Sequence, residues 1–291
     1  MKFGLFVPTQ SPHCDTAYLE AIGLESEERG YHSIWLGEHV VLFDQYASDY
    51  PYAHDGKIPV AGDRALLEPF TTLAFLAART KRVRLGTGIC LVPQRNPVYT
   101  AKEVANLDWI SNGRFDFGVG LGWLSEEFEA LGVPFAKRAA RCRSYLEVMR
   151  RLWCDDVSVY EDEFYSLPAC RQYPKPIQSP HPPIHFGGES DAALRRVAEI
   201  GQGWYGFNLT PDEFANRMVR LRALLEDNGR TIDDIEVSVS PYYQTVDVTT
   251  LRGYRDAGAD QVILLAMSRT PDGFSAKLDG MDALIKDVQA G

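Results

Sequence analysis

No stretch of this 291-residue chain approaches the roughly 20 consecutive apolar residues that a membrane-spanning helix requires. The opening MKFGLFVPTQ reads as a short apolar strand. It lacks the long apolar core and small-residue cleavage site of a secretory leader. Cysteine is sparse: Cys14, Cys90, Cys142, Cys154 and Cys170 are scattered, odd in number, and form no C-x-x-C pair. That argues against a zinc site or a disulfide framework, and the expected setting is a reducing, cytoplasmic one. Positive charge is also short. Thirty Lys and Arg against forty Asp and Glu leave a net charge of -10, opposite in sign to a nucleic-acid-binding surface. A few local arginines still suffice to seat a phosphate. Walker, nucleophile-elbow and Ser-His-Asp patterns are missing. Glu103, Asp108 and Asp116 make no metal-ligand constellation, so no metal is expected.

What is present is alternation. Short β-branched or apolar runs predict strands at Lys2–Val7, Ser33–Glu38, Val83–Ile89, Phe115–Val119, Pro183–Phe186, Trp204–Phe207, Ile235–Ser240 and Gln261–Leu265. Amphipathic stretches between them predict helices at Asp15–Glu28, Leu67–Arg79, Pro97–Ser111, Ala139–Trp153, Ala192–Ile200, Pro211–Asp227, Thr249–Ala257 and Met281–Val288. Thr210-Pro211 and Ser190-Asp191 supply helix-start signals. Eight such units fit a closed α/β barrel, which takes about 250 residues. The expectation is one domain over residues 1–291, a (β/α)₈ TIM barrel with insertions at its C-terminal mouth. Val40–Ala65, Gly122–Lys137 and Asp155–His181 break the rhythm. Loops of such length are uncommon inside a compact domain unless they serve function.

Several strand ends carry candidate chemistry. Glu38-His39 closes the second strand, where an imidazole suits acid–base work near neutral pH. The alternative is a hydrogen-bonded pair that merely fixes the loop. Leu85-Gly86-Thr87-Gly88-Ile89 places two glycines in the third strand, either as a bulge against which a flat ring packs or as ordinary barrel packing. Gly118-Val119-Gly120-Leu121-Gly122-Trp123 is weak as a motif, because the dinucleotide spacing is absent. Gly187-Gly188-Glu189-Ser190 joins a strand to a helix start, a good anion seat, with a tight turn as the bland alternative. Arg141 and Tyr145 sit one turn apart, reaching either a phosphate or only solvent. A phosphate seat with no nucleophile and no metal points to a cofactor that does the chemistry itself.

The stretch from LGTGICLVPQRNPVYT to YLEVMRRLW resembles the central signature of the luciferase-like monooxygenase superfamily, most closely its coenzyme F420-dependent oxidoreductases. YPKPIQSPHPPIHFGGESDAALRRVAEIGQGWY resembles the second signature of that branch. The resemblance covers nearly the whole chain and is best over residues 83–206. It implies a (β/α)₈ barrel, often a homodimer, with the deazaflavin ring packed on a non-proline cis peptide at Gly88–Ile89. It implies His39 near the ring with Glu38 before it. Leu121 and Gly122 would contact the cofactor, and Gly187, Gly188 and Glu189 would hold its phosphate. One departure stands out. Where sugar-phosphate dehydrogenases of the family carry a catalytic Glu, this chain has Trp123, with Glu126 and Glu127 nearby but unmatched.

The expected activity is hydride transfer between coenzyme F420 and a small organic substrate, with His39 and Glu38 as the catalytic residues and His39 as the first choice of proton donor. The alternatives are an FMN-dependent monooxygenase of the same fold and a cofactor-binding protein without turnover. Tyr46, Tyr50 and Tyr52 in the first long loop suggest an aromatic pocket wall.

Overall fold

The computed structural model describes residues 1–64 and 66–290, so Ala65, the last residue of the first predicted long loop, lies outside them. Parallel strands and helices alternate in this order: β1 (Lys2–Phe6), α1 (Thr16–Glu28), β2 (Ser33–Leu36), α2 (Pro69–Arg79), β3 (Arg84–Thr87), β4 (Cys90–Leu91), α3 (Pro97–Ser111) and β5 (Phe115–Gly120). Then come α4 (Ser125–Ala130), α5 (Arg138–Cys154), β6 (Ser158–Glu161), β7 (Ser166–Cys170), β8 (Ile184–Gly187), α6 (Asp191–Ile200) and β9 (Gly203–Phe207). The last elements are α7 (Pro211–Asp227), β10 (Glu236–Ser240), α8 (Val248–Asp256), β11 (Gln261–Leu265) and α9 (Pro271–Gln289).

Hydrogen bonding runs β3–β2–β1–β11–β10–β9–β8–β5 and returns from β5 to β3, which closes an eight-stranded parallel TIM barrel. β4 continues β3 past Gly88–Ile89 and pairs with the end of β5, Cys90 opposite Val119 and Leu91 opposite Gly120. Five of the eight barrel strands lie within the predicted stretches, and β5, β8 and β9 each run one residue beyond theirs. Apolar residues alternate with helices here because each strand of a closed parallel sheet is buried on both faces.

The main core lies between sheet and helices. A second, smaller cluster of Phe6, Trp35, Tyr205 and Ile263 plugs the barrel interior. Below it, Trp35 Nε1 donates to Ser33 Oγ (2.7 Å), Ser33 Oγ to Gln261 Oε1 (3.0 Å), and Gln261 Nε2 to Ser238 Oγ (3.2 Å). These buried polar groups satisfy one another, so the interior is solid and any ligand must sit above the plug.

Three regions differ from the sequence expectation. α4 occupies the stretch read as loop, a short helix whose first turn holds Glu126 and Glu127. β6 and β7 form an antiparallel hairpin inside Asp155–His181, where Asp162 accepts from the amides of Phe164 (2.8 Å) and Tyr165 (2.9 Å) to make the turn. Their largely exposed residues and Pro168 hide the strand pattern. α9 begins ten residues earlier than the apolar periodicity suggests, because the Thr270 hydroxyl caps it by accepting from the Gly273 amide (3.1 Å), with Pro271 in its first turn. Among the described residues, no helix is long and apolar enough to cross a membrane.

Candidate active site

The C-terminal ends of the barrel strands, roofed by the segment after β2, enclose a chamber of about 440 Å³. Its two halves differ in kind. β3, β5 and β8 present backbone at Gly88–Ile89, Gly120–Gly122 and Gly187–Gly188. The opposite half, from β1, β9, β10 and the roofing segment, presents rings: Phe6, Tyr205, Phe207, Tyr242, Tyr50 and Tyr52.

The Gly88–Ile89 peptide is cis, and Ile89 lies on the chamber wall. The glycines around it have mostly structural reasons. A Cβ on Gly120 would stand 1.9 Å from Ile89 Cδ1, and one on Gly187 would stand 2.9 Å from it. A Cβ on Gly118 would stand 1.8 Å from the Thr87 carbonyl oxygen. These glycines therefore make room for Ile89 and for the neighbouring strand, and Ile89 in turn makes the apolar surface on which a flat ring can lie.

His39 stands at the end of β2 with its side chain about one-tenth exposed. Its Nδ1 is 3.2 Å from Glu127 Oε2, and its ring meets Trp123 edge-on at 5.8 Å between centroids. A carboxylate only accepts, so Nδ1 carries the proton of this contact and Nε2 is left for the chamber. Glu127 also accepts from the Val40 amide (2.7 Å) and Gln94 Nε2 (3.1 Å). Burial works to raise its pKa, but the bonds from His39, Gln94 and Val40 outweigh it and hold the carboxyl below its ordinary value. Glu127 is the polar partner that sequence reading left without a role. The available signal was its place in the first turn after β5, beside the barrel mouth.

Glu38 is buried and fully engaged. It accepts from the Leu91 amide (2.5 Å) and pairs with Arg95, which also reaches Glu103 (2.8 Å). Its carboxylate fastens β4 to β2. Both residues line the chamber, but the Glu38 carboxylate is spent on Leu91 and Arg95, while the His39 ring keeps one nitrogen for the chamber.

At the end of β8, Gly188 takes φ +103°, and Ser190 caps α6 by accepting from the Ala193 amide (3.2 Å). Ser190, Ala193 and Arg196 recur every third residue and line the chamber along one face of α6. Arg196 Nε is buried without a hydrogen-bond partner among the described residues. Burial, with Arg143 and Arg138 nearby, draws its guanidinium below the usual arginine range. This arginine was readable from its spacing to the Gly-Gly turn. The Glu189 side chain turns to the ring half, accepting from the Phe207 amide (2.9 Å) and the Tyr52 hydroxyl (3.2 Å). Burial raises its pKa to about 7 against the lowering effect of those two donors.

Leu121, Gly122, Gly187, Gly188, Gly88 and Ile89 all line the chamber. Arg141 and Tyr145 do not. Arg141 is buried against the backbone, donating to the carbonyls of Pro134 (2.6 Å) and Ala136 (3.1 Å), and Tyr145 packs edge-on against Tyr165 at 5.7 Å. One face of α5 is therefore spent on anchoring the segment before it. Among the described residues, no three His, Cys, Asp or Glu side chains group to hold a metal.

The family model described as luciferase-like monooxygenase matches residues 1–247. An uncharacterised protein of Mycobacterium tuberculosis is 33% identical over 217 residues, covering 75% of this chain and 74% of that one. The oxygenase component of a flavin-dependent trigonelline monooxygenase from Acinetobacter baylyi is 34% identical over 192 residues, covering 63% of this chain and 48% of that one. Two solved structures share the fold. The monooxygenase RslO1 from Streptomyces bottropensis has a TM-score of 0.75 at 23% identity, covering 98% of each chain. The coenzyme F420-dependent tetrahydromethanopterin reductase from Methanopyrus kandleri has a TM-score of 0.72 at 18% identity, covering 95% of this chain and 96% of that one. With a family match across most of its length on a closed barrel, this chain belongs to the luciferase-like monooxygenase family of oxidoreductases.

Proposed function

We propose that this protein is a coenzyme F420-dependent oxidoreductase acting on a small organic molecule. The observation that carries the reading is the His39–Glu127 pair facing a wall of Ile89 and glycine backbone, with an arginine-bearing helix start at the far end. The residues fit such a cofactor. Gly88–Ile89, Leu121 and Gly122 would receive the ring, and Gly187, Gly188 and Ser190 would take the phosphate at the N-terminus of α6. The unpartnered Nε of Arg196, with Arg138 beyond it, suits a ligand that carries more anionic groups than one phosphate. When bound, the deazaflavin supplies hydride at its C5. The protein supplies orientation, a mostly apolar chamber wall and a proton. Nε2 of His39 is the atom that gives or takes that proton, and the ionised Glu127 fixes the tautomer and stabilises the imidazolium. A homodimer in the cytoplasm goes with this reading.

A second reading, an FMN-dependent monooxygenase, is favoured by the flavin-dependent relative. Titration of the purified protein with coenzyme F420 and with FMN, followed by visible absorption and fluorescence, separates the two. The proposal expects saturable binding of F420 at least tenfold tighter than FMN, and loss of that affinity in Arg196→Met. Tight FMN binding with none for F420 overturns it.

A further inference from the structure

The half of the chamber that the cofactor reading leaves free has its own chemistry. From His39 the wall passes through Trp123 to Tyr50 (5.1 Å between ring centroids), Tyr52 (5.6 Å), Phe207 (4.8 Å), Tyr242 (4.4 Å) and Tyr243 (4.0 Å). Each ring meets the next edge-on or tilted, so the belt is continuous. It is drawn from four separate parts of the chain: the roofing segment, the loop after β5, the end of β9 and the loop after β10. Phe6 closes it from below, 5.9 Å from Phe207.

In the belt Tyr50, Tyr52 and Tyr242 donate their hydroxyls, while the Tyr205 hydroxyl beneath it is buried without a partner among the described residues. Tyr50 donates to Tyr242 (3.3 Å), Tyr242 to Tyr243 (3.1 Å) and Tyr52 to Glu189 (3.2 Å). Spending the hydroxyls on one another leaves ring faces and edges as the surface a ligand meets. Cationic groups are absent from this half. Arg196 is the one Arg or Lys among the described residues lining the chamber, and it stands in the glycine half. A carboxylate or phosphate entering among the rings would lose its hydration without gaining a counter-ion, a cost that tight packing does not repay. A polyol would likewise find few free donors or acceptors.

Resting on the cofactor reading for which half is which, we infer that the substrate is an uncharged, flat aromatic ring compound, seated in the ring belt with its polar atom toward His39. An anionic sugar is therefore excluded by the same residues that favour an aromatic one. Rings stack or meet edge-on with gains beyond the area they bury, which separates an aromatic ligand from a saturated one of equal size.

Four probes test this by calorimetric titration, into protein with and without saturating cofactor. They are 2-acetonaphthone, its carboxylate analogue 2-naphthoate, the saturated bicyclic ketone 2-decalone, and glucose 6-phosphate. The expected result is 2-acetonaphthone binding at least tenfold tighter than each of the other three. Phe207→Ala and Tyr242→Ala should weaken it about tenfold while the cofactor dissociation constant stays within twofold. Should either variant fold poorly, the exposed rim variant Tyr243→Ala carries the test, with a loss of about threefold. Equal or tighter binding of 2-naphthoate, glucose 6-phosphate or 2-decalone overturns the inference. So does the absence of 2-acetonaphthone binding, or unchanged affinity in the variants. Failure of F420 to bind would strike the cofactor reading alone, because the ranking of the probes is also read on the cofactor-free protein.

Discussion

His39 Nδ1 and Glu127 Oε2 are 3.2 Å apart, and the Glu127 side chain has no solvent exposure. The carboxyl lies below its ordinary pKa despite burial, so it stays ionised through the neutral range and acts as a fixed charge behind the imidazole. Glu127→Gln should keep the Val40 contact through its amide oxygen but remove the charge. Turnover is expected to fall roughly 10–100-fold, with KM within a few-fold. The limb of the kcat profile that reports the pair should move to lower pH, since a neutral amide no longer stabilises the imidazolium. Steady-state kinetics over pH 5–9 check this, and an unchanged profile would leave Glu127 a structural group only.

Glu189 gives a pH dependence of stability with a defined sign. Its folded-state pKa is raised to about 7 by burial, above the ordinary carboxylate value. The neutral form is therefore favoured by folding. Its contribution is fully present below about pH 4 and is lost as pH rises through about 7. Glu189→Gln keeps one oxygen to accept from the Phe207 amide, turns a donating NH2 toward the Tyr52 oxygen as the protonated carboxyl would turn its hydroxyl, and cannot ionise. The variant should be more stable than the parent at pH 8, on the order of 2 kcal/mol, and the gap should close toward pH 5. Melting temperatures of the two proteins from pH 5 to 8 give this difference directly. A gap that is constant or that widens on acidification would be the wrong sign.

Much of this was legible in residue order. The eight strands and most helices follow from alternation of apolar runs with amphipathic stretches, because a closed parallel sheet buries each strand on both sides. His39 and the Gly187–Gly188 turn were readable because a barrel puts its chemistry where strands end. Glu127 was not, since its pairing joins residues 88 apart through a short helix that has no N-cap side-chain bond to announce it. The role of Arg141 was equally hidden. Helical spacing says which residues share a face, and only the packed fold shows that this face bonds to Pro134 and Ala136. The ring belt assembles from four distant segments and has no local signature beyond Tyr46, Tyr50 and Tyr52.

Gly118 and Gly120 lie two residues apart on β5, yet substitution should have different consequences. A Cβ at Gly118 meets the Thr87 carbonyl oxygen at 1.8 Å, a backbone atom of a neighbouring barrel strand. Gly118→Ala should therefore force the strands apart and cost more than roughly 3 kcal/mol. A Cβ at Gly120 meets the tip of Ile89 at 1.9 Å, and that side chain can rotate. Gly120→Ala should fold with a loss of roughly 1–3 kcal/mol, pushing Ile89 into the chamber and weakening cofactor binding at least tenfold. Denaturant unfolding and cofactor titration on the two variants separate the effects. Equal destabilisation with unchanged cofactor affinity would remove Ile89 from the cofactor wall.

Glu126 ties the roofing segment to α4. It accepts from the amides of Ala47 (2.6 Å) and Ser48 (3.2 Å) and from the Ser48 hydroxyl (2.7 Å). Burial is the largest single influence and opposes ionisation, but these donors together, the Ser48 hydroxyl first among them, outweigh it and lower the pKa to about 2. A lowered pKa stabilises above the ordinary carboxylate value and fails only as pH falls through about 2, so the tie is intact at any ordinary assay pH. The rest of the segment is held at Tyr52 by Glu189 and at Tyr50 by Tyr242. Glu126→Ala leaves those holds and the barrel core untouched, so the melting temperature should change by only a degree or two. The segment from residue 41 to 64 should open more often. Limited proteolysis there is expected to quicken about tenfold, and KM for the substrate to rise more than kcat falls, because the roof supplies Tyr50 and Tyr52 to the substrate half. Cleavage at the parental rate with an unchanged KM would mean that the remaining contacts, Ser48 with Ser125 and the two tyrosine bonds among them, hold the roof without Glu126.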